Sequence, residues 1–273
     1  MSEKERWAAA QSYERRYWES RARQIESGAS AQLGWYKWRA EQLEQRLRAA
    51  GREDLCRGDA RVIEVGSGPV GLATFFPASR AVLVDPLHDF YGSSPVLSEM
   101  RNPRAEYVTG RGEALPVEDG AFDLVIIENC IDHVENMHGV LGELVRVMAP
   151  GGLLYLTVNC RSRPGYYVHR VLSRLKIDAG HPYTFTPDRL TRLLGQYHFT
   201  VRDAEYGSYL KAWKEDLASS SRTAKAKALL GVSEYLASVL AVPASGGHHA
   251  REAQHEAVVG QAGGHVEARS REG

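Results

Sequence analysis

Apolar and polar positions change period several times along the chain, and each change marks an element. Residues up to about Arg48 read as helical: Tyr36, Ala40, Leu43 and Leu47 recur at three- and four-residue intervals, and Gly51 is a stop signal. From Arg61 the pattern shortens into apolar runs. RVIEV (61–65), AVLVD (81–85), AEYV (105–108) and FDLVIIEN (122–129) read as strands, the last continuous enough to be buried on both faces. Met137, Val140, Leu141, Leu144, Val145 and Met148 return to a helical stripe, which APGG (149–152) ends. LLYLTVN (153–159) is a fifth strand. The pattern then predicts a helix over 166–175, a loop DAGHPYTF (178–185) and a helix opened by Thr186-Pro187-Asp188. Closing strands over 199–204 and 208–213 follow, then a last helical stripe at Leu229, Val232, Leu236, Val239 and Leu240.

Strands alternating with helices predict an α/β fold with a doubly wound, mostly parallel seven-stranded sheet. Its ligand is expected beyond the carboxyl ends of the strands. The organisation read from the pattern is an N-terminal helical cap (1–52), a core (53–215) with an insert around 160–186, a C-terminal helix (216–242) and a disordered tail (243–273). The tail histidines His248, His249, His255 and His265 read as solvated rather than metal-binding.

Composition narrows the classes of function. The 273 residues carry 34 basic and 34 acidic side chains, so no overall field favours nucleic acid or an anionic membrane. Cys56, Cys130 and Cys160 match no zinc pattern and no secreted disulfide framework. The polar N-terminus lacks an apolar signal core, and no apolar run reaches the ~20 residues of a membrane span. The expectation is a cytoplasmic protein acting on a small molecule, with no metal. The N-terminal segment is unusually aromatic, with Trp7, Tyr13, Tyr17, Trp18, Trp35 and Trp38. Most are expected to pack on the core, and one or two to touch a ligand.

GSGPVG (66–71) fits the dinucleotide-binding spacing G-x-G-x-x-G, but Glu64 stands two residues before its first glycine. A carboxylate ~4 Å from a phosphate costs about 1 kcal/mol in water and roughly 4 when partly buried. It suits a ligand that is cationic there, such as S-adenosylmethionine with its ammonium and sulfonium. Glu64 could meet the ammonium directly, through water, or by holding the glycine turn.

EVGSGPVG, the strand-end acid Asp85, GEALP (112–116), FDLVIIEN and APGG, in this order over about 61–159, resemble class I S-adenosylmethionine-dependent methyltransferases. The resemblance implies a Rossmann-like methyltransferase core and S-adenosyl-L-methionine as cofactor. It implies contacts from Glu64, Gly66, Ser67 and Gly68, from Asp85 (ribose hydroxyls) and Pro86, from Gly112, Glu113 and Ala114 (adenine edge), and from Asn129 (methionine part). The family often has an acid where this chain has Arg111, so Glu113 or a backbone carbonyl is the expected substitute. For the acceptor, Asp132-His133 after the fourth strand is one candidate base, against the alternative that Asp132 starts a helix and His133 packs under it. His181, in the loop where related enzymes build the acceptor pocket, is the other. The function implied is methylation of an O or N atom of a small, natural-product or sugar-like molecule. Two alternatives are an NAD-linked oxidoreductase and a non-catalytic binding protein of the same fold; a narrower one is methyl transfer to RNA or protein.

Overall fold

The computed structural model describes residues 3–28, 33–174 and 183–244. Among them, seven strands form one sheet in the order β3-β2-β1-β4-β5-β7-β6. They are β1 (Arg61–Val65), β2 (Arg80–Asp85), β3 (Glu106–Thr109), β4 (Phe122–Glu128), β5 (Met148–Cys160), β6 (Phe199–Tyr206) and β7 (Tyr235–Pro243). β7 runs antiparallel to both neighbours, and β1 to β5 are parallel. The helices are α1 (Glu3–Glu26), α2 (Trp35–Ala49), α3 (His88–Gly92), α4 (Pro95–Ser98), α5 (Met137–Val147), α6 (Arg163–Arg174), α7 (Pro187–Gln196), α8 (Tyr209–Ala218) and α9 (Arg222–Leu229).

Alternation along the strands sorts the core into two layers, because successive side chains leave a strand on opposite faces. Ile63, Val65, Val125 and Ile127 pack with Val140, Leu141 and Leu144 of α5 and Leu190 and Leu194 of α7. Val62, Leu124 and Ile126 pack on the other face with Leu43 and Leu47 of α2. Glu64 follows Val62, and Glu128 follows Ile126, so both acids leave the ends of adjacent strands on the α2 face. A third, smaller core joins Trp18 of α1, Tyr36 of α2 and Tyr91 of α3 and seats the cap above the carboxyl edge of the sheet.

The turn after β1 needs glycine at two positions for separate reasons. Gly68 has φ +63°, and a Cβ there would come within 2.6 Å of the Tyr36 hydroxyl. Gly71 has φ +74°, and a Cβ there would come within 2.2 Å of Leu83 and 2.8 Å of Glu64 Oε2.

Two sequence expectations are corrected. Residues 208–213, read as a strand, open helix α8, because the Ser208 hydroxyl accepts from the Lys211 amide and caps it. The C-terminal helix expected over 216–242 is the end of α8, helix α9 and strand β7. Gly231, at φ +70°, lies just past the end of α9. The run 235–243 finds backbone partners on both sides, β5 and β6. Leucines and valines buried on both faces of a strand mimic helical spacing, and the hydrogen-bonding neighbours decide between the two. β5 also begins five residues earlier than expected, at Met148. The tail expected over 243–273 falls mainly on residues 245–273, which lie outside the described residues.

Gly71→Ala is expected to destabilise the protein by roughly 2–4 kcal/mol, from left-handed backbone strain and the clash with Leu83 and Glu64. Urea denaturation measures it; a midpoint equal to wild type contradicts this account of the turn.

Candidate functional site

A cavity of about 230 Å³ sits at the carboxyl edge of β1, β2 and β4. Its floor is the glycine turn, its far wall is the Gly110–Glu113 loop after β3, and its roof is the cap. The cap contributes Trp7, Gln11, Glu14 and Trp18 from α1, and Trp35, Tyr36 and Arg39 from α2. The aromatic cap therefore lines the cavity with more residues than the one or two expected from sequence. Tyr13, Tyr17 and Trp38 instead face solvent.

The cap is held by specific contacts. The Arg111 guanidinium lies 4.1 Å from the Trp7 ring, and that of Arg15 lies 4.7 Å from Phe90. Arg39 of α2 forms an ion pair with Glu128 at 3.0 Å. Arg46, buried under α2, bonds Asp203 at 2.6 Å and the Ser238 carbonyl at 2.9 Å.

Glu64 is buried, and its carboxylate accepts from the Leu72 amide (3.2 Å) and the Ala73 amide (2.8 Å). Of the three roles open from sequence, the geometry shows it holding the glycine turn. A dinucleotide site uses the amides that follow such a turn to hold its pyrophosphate; here Glu64 occupies them. Burial pushes the Glu64 carboxyl up to about 8, against the pull of the two amides, and the nearby Glu128 charge adds to the rise.

Asp85 accepts from the Gly68 amide (2.9 Å) and the Leu87 amide (2.8 Å) through different oxygens. A carboxylate has about four lone-pair sites, so two remain toward the cavity it lines. Burial raises Asp85 to about 6. Gly66, Ser67, Gly68 and Pro86 line the same floor. The Ser67 hydroxyl is turned away onto His88 Nε2 at 3.1 Å, so Ser67 offers the cavity its backbone.

Gly112 and Glu113 line the far wall, and Ala114 does not. Glu113 Oε1 accepts from the Glu135 and Asn136 amides at 2.9 and 3.0 Å, so half of this carboxylate holds the loop before α5. Arg111 sits between Glu113, at 3.5 Å, and Glu135. It balances those acids and stacks on the cap. Asn129, at φ +48°, donates its amide to Thr157 and points its side chain into the cavity.

His133 lines the cavity, with Nε2 3.7 Å from the buried Asp132 carboxylate. Asp132 itself does not line it. His181 lies outside the described residues. Sequence reasoning missed Gln11, Glu14, Arg39 and Glu128. Only Glu128 carried a signal, as an acid ending an otherwise apolar strand. Arg39 was legible as helical, but nothing in its spacing says what α2 covers.

Beside the cavity one buried donor, Arg111 Nε, and two buried acceptors, Gln11 Oε1 and Asn129 Oδ1, have no hydrogen-bond partner in the protein. With Glu14, Glu64, Asp85, Glu113 and Glu128 the two acceptors make the cavity acceptor-rich, while Arg39 and Arg111 are its cations. This donor set fits S-adenosylmethionine, which presents an ammonium, a ribose diol and an adenine amine.

The fold is a Rossmann-like α/β sheet with a cavity at its carboxyl edge. A family model described as a methyltransferase domain matches residues 63–156. An uncharacterized methyltransferase of Mycobacterium sp. (strain JLS) is 34% identical over 105 residues, 37% of this chain and 39% of that protein. The chain thus spans less than two fifths of the length of the curated relatives it first matches. Among solved structures, 1,6-didemethyltoxoflavin-N1-methyltransferase of Burkholderia thailandensis, bound to 1,6-didemethyltoxoflavin and S-adenosylhomocysteine, superposes with a TM-score of 0.54 at 17% identity. The match covers 88% of this chain and 89% of that one. Geranyl diphosphate C-methyltransferase of Streptomyces coelicolor A3(2), also bound to S-adenosylhomocysteine, gives 0.52 at 16% identity over 72% and 81%. Residues 63–156 thus resemble a methyltransferase domain, and the solved structures share the fold around it. Among the described residues no helix is long and apolar enough to cross a membrane, and no cluster of side chains is arranged to hold a metal.

The raised Glu64 value has a consequence for stability. An acid whose folded value lies above its unfolded one holds a proton in the folded state that the unfolded chain has released, so stability falls as pH rises through that window. Asp85, raised to about 6, acts in the same direction at lower pH, and buried His88, lowered to about 4, acts in the opposite one. Above about pH 6.5 both have titrated, and Glu64, with the neighbouring Glu128 that burial also raises, acts in the falling direction. The urea midpoint of the ligand-free protein is expected to fall between pH 6.5 and 8, with a flatter profile for Glu64→Gln; parallel profiles contradict the assignment.

Proposed function

We propose that the protein is an S-adenosylmethionine-dependent methyltransferase that moves a methyl group to an oxygen or nitrogen atom of a small molecule of natural-product or sugar-like type. The observation that carries this reading is the Glu64 carboxylate seated on the Leu72 and Ala73 amides. It takes the place of a diphosphate and leaves a cavity walled by acceptors. That arrangement counts against an NAD-linked oxidoreductase. The similar proteins include norajmaline N-methyltransferase of Rauvolfia serpentina, 34% identical over 70 residues, which supports a small molecule.

In this reading Asp85 takes the ribose hydroxyls with its remaining lone pairs. The Gly112 backbone and the half-engaged Glu113 serve the adenine edge, and Arg111 holds that loop against Trp7. Since β2 carries the ribose contact and the loop after β3 the adenine contact, the amino-acid end falls over β1 and β4. There Arg39 and Glu128, paired at 3.0 Å, match a zwitterion: the guanidinium suits its carboxylate, the carboxylate its ammonium. Asn129 Oδ1 and Gln11 Oε1 accept from donor groups along the way. S-adenosylmethionine, when bound, supplies a methyl group already activated on a sulfonium. What remains for the protein is to align the acceptor, exclude water under the cap, and remove a proton where the acceptor is a hydroxyl. His133 is placed for that proton, with Asp132 close enough to stabilise the imidazolium; His181 is the second candidate, in the acceptor loop.

Isothermal titration is expected to give binding of S-adenosylhomocysteine and none of NAD; the reverse result discards the methyltransferase reading. His133→Ala is expected to lower turnover about 10²- to 10⁴-fold with little change in S-adenosylhomocysteine affinity. Turnover is read by mass spectrometry as the gain of one methylene unit on a compound of a metabolite extract. Arg39→Met is expected to weaken S-adenosylhomocysteine by roughly 10- to 100-fold while leaving 5′-methylthioadenosine, which lacks the amino-acid end, unchanged. Equal weakening of both ligands assigns Arg39 a purely structural role.

A further inference from the structure

Helices α6, α8 and α9 leave the sheet at its carboxyl edge, the edge that holds the cavity. α6 follows β5, and α8 and α9 fill the connection from β6 to β7. α8 and α9 pack on each other, and α6 meets the end of α9. A Cβ on Gly165 of α6 would come within 2.4 Å of the Gly231 carbonyl at the end of α9. Trp213 Nε1 of α8 donates to the Ala228 carbonyl of α9 at 3.1 Å.

The outward sides of these helices carry large apolar residues in solvent. Leu229 is 79% exposed, Leu210 64%, Tyr167 62%, Val171 55%, Leu230 49% and Leu217 41%. Single exposed leucines are ordinary, but these fall at helical spacing and alternate with cations. Leu210, Lys214 and Leu217 share one face of α8; Arg222, Lys225 and Leu229 share one face of α9; Tyr167, Arg170 and Val171 share one face of α6. Residues 209–230 contain five Lys or Arg against two Asp or Glu, in a chain whose total charge is balanced. Lys227 is spent on Glu234 at 2.7 Å, whereas Lys214, Arg222 and Lys225 are exposed.

We propose that this face docks on an anionic phospholipid surface. Apolar side chains ringed by lysines and arginines are the chemistry of an interfacial helix: the leucines enter the acyl boundary and the cations meet the headgroups. A second copy of the chain would bring like charges together on this face. The leucines also stand on α8 and at the end of α9, on helix faces rather than in a groove that a peptide could fill. The inference concerns the surface alone and does not rest on the methyl-transfer reading.

Flotation of the full chain with vesicles tests it. The protein is expected to float with vesicles of equal phosphatidylglycerol and phosphatidylcholine, and at least tenfold less with phosphatidylcholine alone or in 0.5 M salt. The triple variant Leu210→Ser, Leu229→Ser, Leu230→Ser is expected to lose at least tenfold in vesicle binding while keeping its thermal midpoint and its circular dichroism spectrum. Absence of flotation with anionic vesicles overturns the proposal, as does a triple variant that floats like wild type. A dimer in light scattering that the triple variant abolishes also overturns it, assigning the face to self-association.

Discussion

The carboxylate of Glu64 on the amides of Leu72 and Ala73 is the constraint from which the site follows. It closes the turn between β1 and the next segment from below, fixes the direction of the glycine backbone and removes the amides on which a phosphate would rest. Gly71 has to be glycine partly because this carboxylate lies under it. Burial raises the affinity of Glu64 for its proton against the pull of the two amides. One side chain thus sets the shape of the floor.

The roof is built by different physics. α1 and α2 reach the core through few residues: Trp18, Tyr36, Leu43 and Leu47 by packing, and Arg46 by a buried bond network with Asp203 and Ser238. Over the cavity the contacts change from packing to cation–ring and ion-pair contacts, Trp7 with Arg111 and Arg39 with Glu128. Such contacts are individually weak where exposed. A cap attached by a firm root and a softer rim suits a site that must admit a ligand and then exclude water.

Much of the parallel half of the sheet was legible because local and global signals agree there. β1, β2 and β4 are short apolar runs ended by acids or glycines, and α5 is a clean stripe. In the antiparallel half β6 was legible and β7 was not. Residues 208–213 and 235–243 carry patterns that suit a helix or a strand; the Ser208 cap decided the first, and partners distant in sequence the second. In the site, Glu64, Gly66, Gly68 and Asp85 were legible because they lie within or beside the strand-to-turn junctions that the fold uses for ligands. Gln11, Glu14 and Arg39 were not, since they reach the cavity from helices whose own spacing says nothing of what they cover.

By itself the sequence determined the strand-helix alternation, the glycine turn with its preceding acid, and the acid at the end of β2, because each is a local choice of backbone conformation or burial. The tertiary structure alone decided that Glu64 holds the Leu72 and Ala73 amides, that β7 is a strand, and that Arg39 meets Glu128 at the end of β4. Those outcomes depend on which groups meet across tens of residues, where hydrogen bonds and charge pairs form only after the chain has closed its core.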